Sequence, residues 1–114
     1  MKIKSANLTI NVSDLDKSIA FYQSIGLTLK ERWGEHYAQL TASGIVIGLH
    51  PSKQSEPGTD KNLSIGFTAE NFGTVNDELI KVGIKTKYRN EKGGEFLHFE
   101  DPDGTSLYFI NPKW

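Results

Sequence analysis

The sequence predicts an α+β fold in which two βαβββ modules form a concave mixed sheet with the helices on its outer face. Three observations predict it. The hydrophobic spacing changes from period two to helical spacing twice, both copies keep one register, and three strand-like segments follow each helix. The 114 residues suit a single domain. We therefore expect one domain over 1–114, with module one at 1–50, a linker at 51–62 and module two at 63–114.

The first strand and helix of each module carry the clearest pattern. Leu8, Ile10 and Val12 alternate with polar residues, which predicts a strand with one apolar face. Helical spacing then begins after a capping residue, Ser13 or Asp14, and ends at Gly26. The same pattern returns 57 positions later, and there Asn71 caps the helix and Gly83 ends it. The modules are therefore predicted to be two copies of one structure.

Six further strands are predicted, at 27–33, 37–40, 45–50, 84–88, 96–100 and 105–110, with turn residues between them. Alternation along the strands gives one apolar face, which the helices cover, and a second face of polar groups, aromatic rings and glycines. That second face is either a solvated sheet surface or the wall of a ligand cavity. Rings among hydroxyls and amides are the composition expected of a small-molecule pocket.

Composition excludes several classes of partner. The net charge of −1 offers no concentrated basic face, so no nucleic acid is expected. No apolar run approaches the ~20 residues of a membrane span, and the N-terminal residues alternate instead of forming a signal peptide, so we expect no membrane partner. The chain has no cysteine, which excludes disulfides and thiolate metal sites. The expected location is cytoplasmic.

Two motifs carry a family resemblance. NVSDLDKSIAFYQSIGL (11–27) and FEDPDG (99–104), together with the repeated module, resemble the vicinal oxygen chelate superfamily. That group includes glyoxalase I, bleomycin-resistance and fosfomycin-resistance proteins, methylmalonyl-CoA epimerase and extradiol dioxygenases. The resemblance covers nearly the whole chain, and it is specific for the fold rather than for the function. In the metal-dependent members it implies four ligands, usually His, Glu or Gln, on the first and last strand of each module.

Those four positions are occupied here by residues that bind a divalent ion poorly: Asn7, Gly48, Ser64 and Tyr108. Glycine has no side-chain donor, neutral hydroxyls are weak ligands, and asparagine offers only a carbonyl oxygen. We therefore predict no metal and no cofactor. The resemblance then points to the metal-free branch represented by bleomycin-resistance proteins, which bind a drug and commonly form homodimers.

The predicted function is metal-independent binding of a small organic molecule by a homodimer, and sequestration of a bleomycin-like antibiotic is one form of it. Hydrogen bonds are expected from Asn7, Ser64 and Tyr108, and Gly48 and Gly66 are expected to leave room beside the sheet. No catalytic residue is assigned. The full set of predicted ligand-binding residues is Asn7, Trp33, Tyr37, Gly48, His50, Ser64, Phe96, His98 and Tyr108.

Two alternatives remain open from the sequence. The first is an enzyme, a glyoxalase-like lyase, isomerase or dioxygenase, whose metal site is displaced onto His50, His98 and Glu100. Histidine or glutamate could also act as an acid or base without a metal. The second is a regulatory module whose concave face binds another protein. Phe96 serves core packing as readily as ligand contact.

Overall fold

A computed structural model describes residues 1–52 and 63–113 of the chain. These residues divide into two compact units, 1–52 and 63–113, which we call the first and second unit. In the first unit the elements are β1 (Leu8–Val12), α1 (Leu15–Ser24), β2 (Thr28–Trp33), β3 (Tyr37–Ala42) and β4 (Ile45–Pro51). In the second they are β5 (Ser64–Phe67), α2 (Phe72–Lys81), β6 (Lys87–Glu91), β7 (Gly94–Glu100) and β8 (Ser106–Pro112). The predicted α+β class and the repeated βαβββ order are confirmed.

The strands of each unit form a four-stranded mixed sheet of identical topology. The order is β1-β4-β3-β2 in the first unit and β5-β8-β7-β6 in the second. In each sheet the first and last strands pair in parallel and the other pairs are antiparallel. The internal repeat in the sequence is thus a repeat of architecture. The eight strands are divided between two sheets, a division that the hydrophobic pattern does not reveal.

Both helices begin and end where the sequence predicts. The Asp14 side chain accepts a hydrogen bond from the Lys17 backbone N–H at 3.0 Å, and Asn71 accepts one from the Gly73 N–H at 3.1 Å. These bonds satisfy backbone donors that have no partner within the first turn. Gly26 then follows α1 with φ +111°, a conformation that favours glycine. Neither described helix is both long and apolar enough to cross a membrane.

Each unit has its own apolar core between its helix and its sheet. The face predicted to lie under the helices is buried, which confirms the assignment of inward and outward positions. The most buried apolar residues of the first unit are Ile10, Val12, Tyr22, Ala38, Leu40, Ile47 and Leu49, and those of the second are Ile65, Val75, Leu79, Leu97, Phe99 and Leu107. The opposite face of each sheet therefore presents the polar, aromatic and glycine positions.

All six of the strands predicted to follow the helices differ from the structure by one to three residues at one end or both, and β6 differs most. β6 occupies Lys87–Glu91 instead of 84–88, because the Ile84 N–H bonds to the Leu79 carbonyl and belongs to the end of α2. Every residue of β6 is exposed, so the strand has no apolar alternation and is defined by its pairing with β7. β4 extends to Pro51, which the prediction placed in the linker. The remainder of the predicted linker, 53–62, lies outside the described residues.

Candidate functional site

The outward face of the first sheet carries a tyrosine that lies across a glycine. The Tyr37 hydroxyl and ring occupy the space that a side chain on Gly48 would take. The same hydroxyl lies 3.2 Å from the Thr9 Oγ1 atom, so the two groups share a hydrogen bond. The Trp33 ring lies 5.5 Å from the Tyr37 ring at an angle of 35°. We call Thr9, Trp33, Tyr37 and Gly48 the first cluster.

A tight hairpin between β2 and β3 places the two rings of the first cluster side by side. Trp33 pairs with Tyr37, and the chain turns where the His36 N–H bonds to the Trp33 carbonyl at 2.9 Å. Arg32 stabilises this hairpin through two contacts. Its Nη1 lies 2.7 Å from a carboxylate oxygen of Asp16 in α1, and its Nε donates a hydrogen bond to the Gly34 carbonyl at 2.8 Å. The Asp16 hydrogen bond raises the pKa of Arg32, whose cation is therefore retained.

The outward face of the second sheet carries a larger aromatic group. The Tyr108 ring occupies the space beside Gly66, its partner on the neighbouring parallel strand. Phe96 and His98 stack with ring centroids 5.6 Å apart and planes at 9°. Tyr108 lies 5.7 Å from Phe96 and 5.8 Å from His98. The three rings are half-buried, and with Gly66 we call them the second cluster.

The edge strand β6 adds charge to this face. Lys87 pairs with His98 and Arg89 pairs with Phe96, and a cavity of about 330 Å³ is lined by these four residues and Glu91. Sequence analysis missed Lys87 and Arg89. The signal was a charged residue at every second position from Lys87 to Glu91, but the predicted strand ended at Tyr88, so the alternation was not followed.

The structure brings together six of the nine predicted site residues, in two separate groups. Trp33, Tyr37 and Gly48 belong to the first cluster, and Phe96, His98 and Tyr108 belong to the second. The other three are exposed: Asn7 precedes β1, His50 lies near the end of β4, and Ser64 begins β5 opposite Ser106. Ligand contact by any of the nine stays a prediction.

The predicted role of the two glycines needs a correction. Gly48 and Gly66 were expected to leave open space beside the sheet, but tyrosine rings fill both spaces. A missing side chain creates a gap only if no neighbour is long enough to enter it. Here Tyr37 and Tyr108 enter, because close packing in proteins leaves few unfilled voids. The glycines therefore hold tyrosines flat against the two sheets.

The residues at the superfamily's metal positions do not fit a divalent ion. Gly48 offers no donor and is covered by Tyr37, while Tyr108 presents a ring that packs on Gly66. Ser64 contributes at most a neutral hydroxyl, a poor ligand for such ions. Within 1–52, and likewise within 63–113, no group of three or more His, Asp or Glu side chains could hold a metal. The displaced set of His50, His98 and Glu100 draws on both units and stays a prediction.

A protein-family comparison agrees with this fold and its repeat. The model of the Glyoxalase/Bleomycin resistance protein/Dioxygenase superfamily matches residues 4–109. The chain belongs to this superfamily. Among characterised members, it is 33% identical over 107 residues to the glutathione transferase FosA of Serratia marcescens, a match spanning 89% of this chain and 75% of that one. It is 32% identical over 119 residues to the metallothiol transferase FosB of Lysinibacillus sphaericus, spanning 96% and 83%.

Solved structures of the superfamily share the fold at lower identity. A bleomycin-binding protein complexed with bleomycin superposes with a TM-score of 0.75 at 18% identity, covering 97% of this chain and 100% of that one. At this identity the likeness concerns the fold alone. The superfamily therefore contains both thiol transferases and a drug-binding protein, and the choice between them depends on the side chains.

Proposed function

We propose that this protein binds a small organic molecule without a metal ion, using the ring-bearing outward faces of its sheets. One observation carries the proposal. Tyr108 stands at a metal-ligand position of the superfamily, and its ring packs on Gly66 beside Phe96 and His98. Half-buried rings offer flat apolar surface, and a stacked aromatic contact contributes about 0.5 to 1.5 kcal/mol beyond area burial.

Antibiotic sequestration is the form of binding that we propose. It is supported by the shared fold with a bleomycin-binding protein and by the unsuitable side chains at the metal positions. The proposal includes a homodimer and a cytoplasmic location, both of which follow from the family resemblance and the composition. The ligand is expected to contact the second cluster, where three rings lie together and a cavity adjoins them.

The test is calorimetric titration of the protein with bleomycin and with a panel of aromatic antibiotics, after a thermal-shift screen. Tyr108→Leu should weaken binding about tenfold, since a lost stacked ring is worth about 1 kcal/mol or slightly more. Tyr88→Leu is the matched control, because Tyr88 is an exposed tyrosine of the same unit that lies on the opposite face of the sheet from Tyr108. If neither the melting temperature nor the heat signal responds to any compound, the proposal is wrong.

Metal dependence is tested in the same preparation. Prolonged treatment with EDTA should leave the dissociation constant of the best ligand unchanged, because Gly48, Ser64 and Tyr108, at the superfamily's metal positions, are poor ligands for a divalent ion. Elemental analysis of the purified protein gives the complementary measurement. A stoichiometric divalent ion whose removal abolishes binding would contradict the metal-independent mechanism.

Group transfer is a second candidate function, favoured by the 33% and 32% identities to a glutathione transferase and a metallothiol transferase. In this case the bound antibiotic would be modified by a thiol as well as retained. Mass spectrometry of the antibiotic after incubation with protein and glutathione distinguishes the two. An unchanged antibiotic mass, with a measurable dissociation constant, supports binding alone.

A further inference from the structure

The β6 edge of the second cluster combines two cations with two stacked rings. Lys87 and Arg89 are separated by one residue in the same strand and therefore project to the same face, about 7 Å apart. Each is paired across β7 with a ring residue, His98 and Phe96 respectively. The cavity of about 330 Å³ is lined by these four side chains and by Glu91.

Neither cation has a protein counter-ion among the described residues. The two ion pairs found there both involve Arg32 in the first unit. Lys87 and Arg89 are exposed, and no described side chain accepts a hydrogen bond from either of them. Their charges are therefore available to a ligand. Glu91 follows Arg89 by two residues on the same face and pairs with Gly94, so the cavity holds one carboxylate beside its two cations.

We propose that this cavity binds a planar organic anion: a carboxylate that meets Lys87 and Arg89, attached to a ring that lies against Phe96 and His98. The inference rests on the proposed function and names its ligand class. Guanidinium and ammonium groups both donate to carboxylates, and Arg89 can do so through two parallel bonds. The stacked rings of Phe96 and His98, with planes at 9°, place aromatic surface beside that charge.

The probes are three compounds that separate the ring from the charge. 2-Naphthoate carries both, 2-naphthamide carries the ring without the charge, and inorganic phosphate carries charge without a ring. Calorimetry should give the tightest binding for naphthoate. Added salt should weaken naphthoate and leave naphthamide almost unchanged, because only the exposed charge contacts are screened.

The variants are Lys87→Gln and Arg89→Gln. Each should weaken naphthoate binding roughly fivefold, because an exposed charge contact contributes about 1 kcal/mol. The dissociation constant of naphthamide should stay unchanged. Lys81→Gln is the matched control, since it removes one exposed cation from α2 of the same unit. Retained naphthamide binding shows that the variants are folded.

The outcomes separate this inference from the function on which it rests. If an antibiotic binds while naphthoate binds no better than naphthamide, the anion site is wrong and the proposed function stands. If Lys81→Gln weakens naphthoate as much as Arg89→Gln, the effect is one of net charge and the site is again wrong. If no small molecule binds at all, both proposals fail.

Discussion

Gly66 shows how a single missing side chain shapes the second cluster. Its partner across the parallel strands is Tyr108, whose ring lies in the space that a Cβ atom would need. The ring is held flat on the sheet and in reach of Phe96 and His98. The glycine is required here by the close approach of a ring rather than by an unusual backbone conformation.

Replacing this glycine tests the contact. Gly66→Ala should destabilise the protein by about 1 to 3 kcal/mol, because the added methyl group overlaps the Tyr108 ring and forces it to move. The free energy of unfolding is measured by urea titration. In a Tyr108→Ala background the same substitution should cost much less. An equal cost in both backgrounds would show that the ring is not the obstacle.

Glu95 makes the folding stability of the protein depend on pH in the acidic range. Tyr88 donates a hydrogen bond to one of its carboxylate oxygens at 2.8 Å and Asn111 donates to the other at 3.0 Å. These donors, with a smaller contribution from the Lys113 charge, lower the pKa of Glu95 below its ordinary value of 4.5. A carboxyl group with a lowered pKa stabilises the fold above its unfolded-state pKa, and this stabilisation is lost as pH falls through its folded-state pKa.

The unfolding free energy of Glu95→Gln should therefore be lower than the wild-type value near neutral pH. The difference should shrink as pH falls below about 4.5, where the carboxyl of the unfolded chain becomes protonated, and disappear once pH has fallen through the lowered folded-state pKa. The effect is small because the side chain is partly exposed and solvent screens its carboxylate. Glu78→Gln, an exposed glutamate on α2, is the control. A difference between wild type and Glu95→Gln that stays constant with pH would contradict the assignment.

The two helices are equivalent elements, and one repeat position of their buried faces is polar in α1 and apolar in α2. Ser18 of α1 occupies the repeat position of Val75 in α2, and both are buried, with exposed fractions of 0% and 4%. Among described residues, the Ser18 hydroxyl is the one buried side-chain polar atom that has no hydrogen-bond partner. A buried polar group without a partner keeps the cost of its lost hydration.

Ser18→Ala should therefore stabilise the protein, by about 1 kcal/mol, because it removes the unsatisfied hydroxyl without adding volume. The midpoint of urea unfolding reports the change if the slope of the transition stays constant. Val75→Ser is the reciprocal variant and should destabilise. If Ser18→Ala is instead destabilising, the hydroxyl has a partner, such as a buried water, in solution.

At the scale of the whole molecule, the repeat gives each unit a helix, a four-stranded sheet and a core of its own. Several large apolar side chains remain exposed in the chain, among them Trp33 at 44%, Ile80 at 55% and Val82 at 48%. Exposed apolar residues are common singly and mark interfaces when they form a continuous patch. They are compatible with the homodimer that the family resemblance implies.

Analytical ultracentrifugation measures the number of chains in the assembly directly. The protein should sediment with the mass of two chains at micromolar concentration and dissociate on dilution or in mild denaturant. A melting temperature that rises with protein concentration would be the thermodynamic counterpart, because association stabilises the folded form by mass action. A single-chain mass at all concentrations would contradict the predicted homodimer.

Local patterns in the sequence are enough to predict the class, the repeat, the helix ends and the buried face, because each depends on neighbours a few residues apart. Asp14 and Asn71 cap helices, and hydrophobic spacing sets the inward side, through contacts within one element. The side-chain contacts across strands can be seen only in the folded chain. Tyr108 lies on Gly66, and Arg89 pairs with Phe96, because strand register sets those distances, and neither residue type nor spacing encodes that register locally.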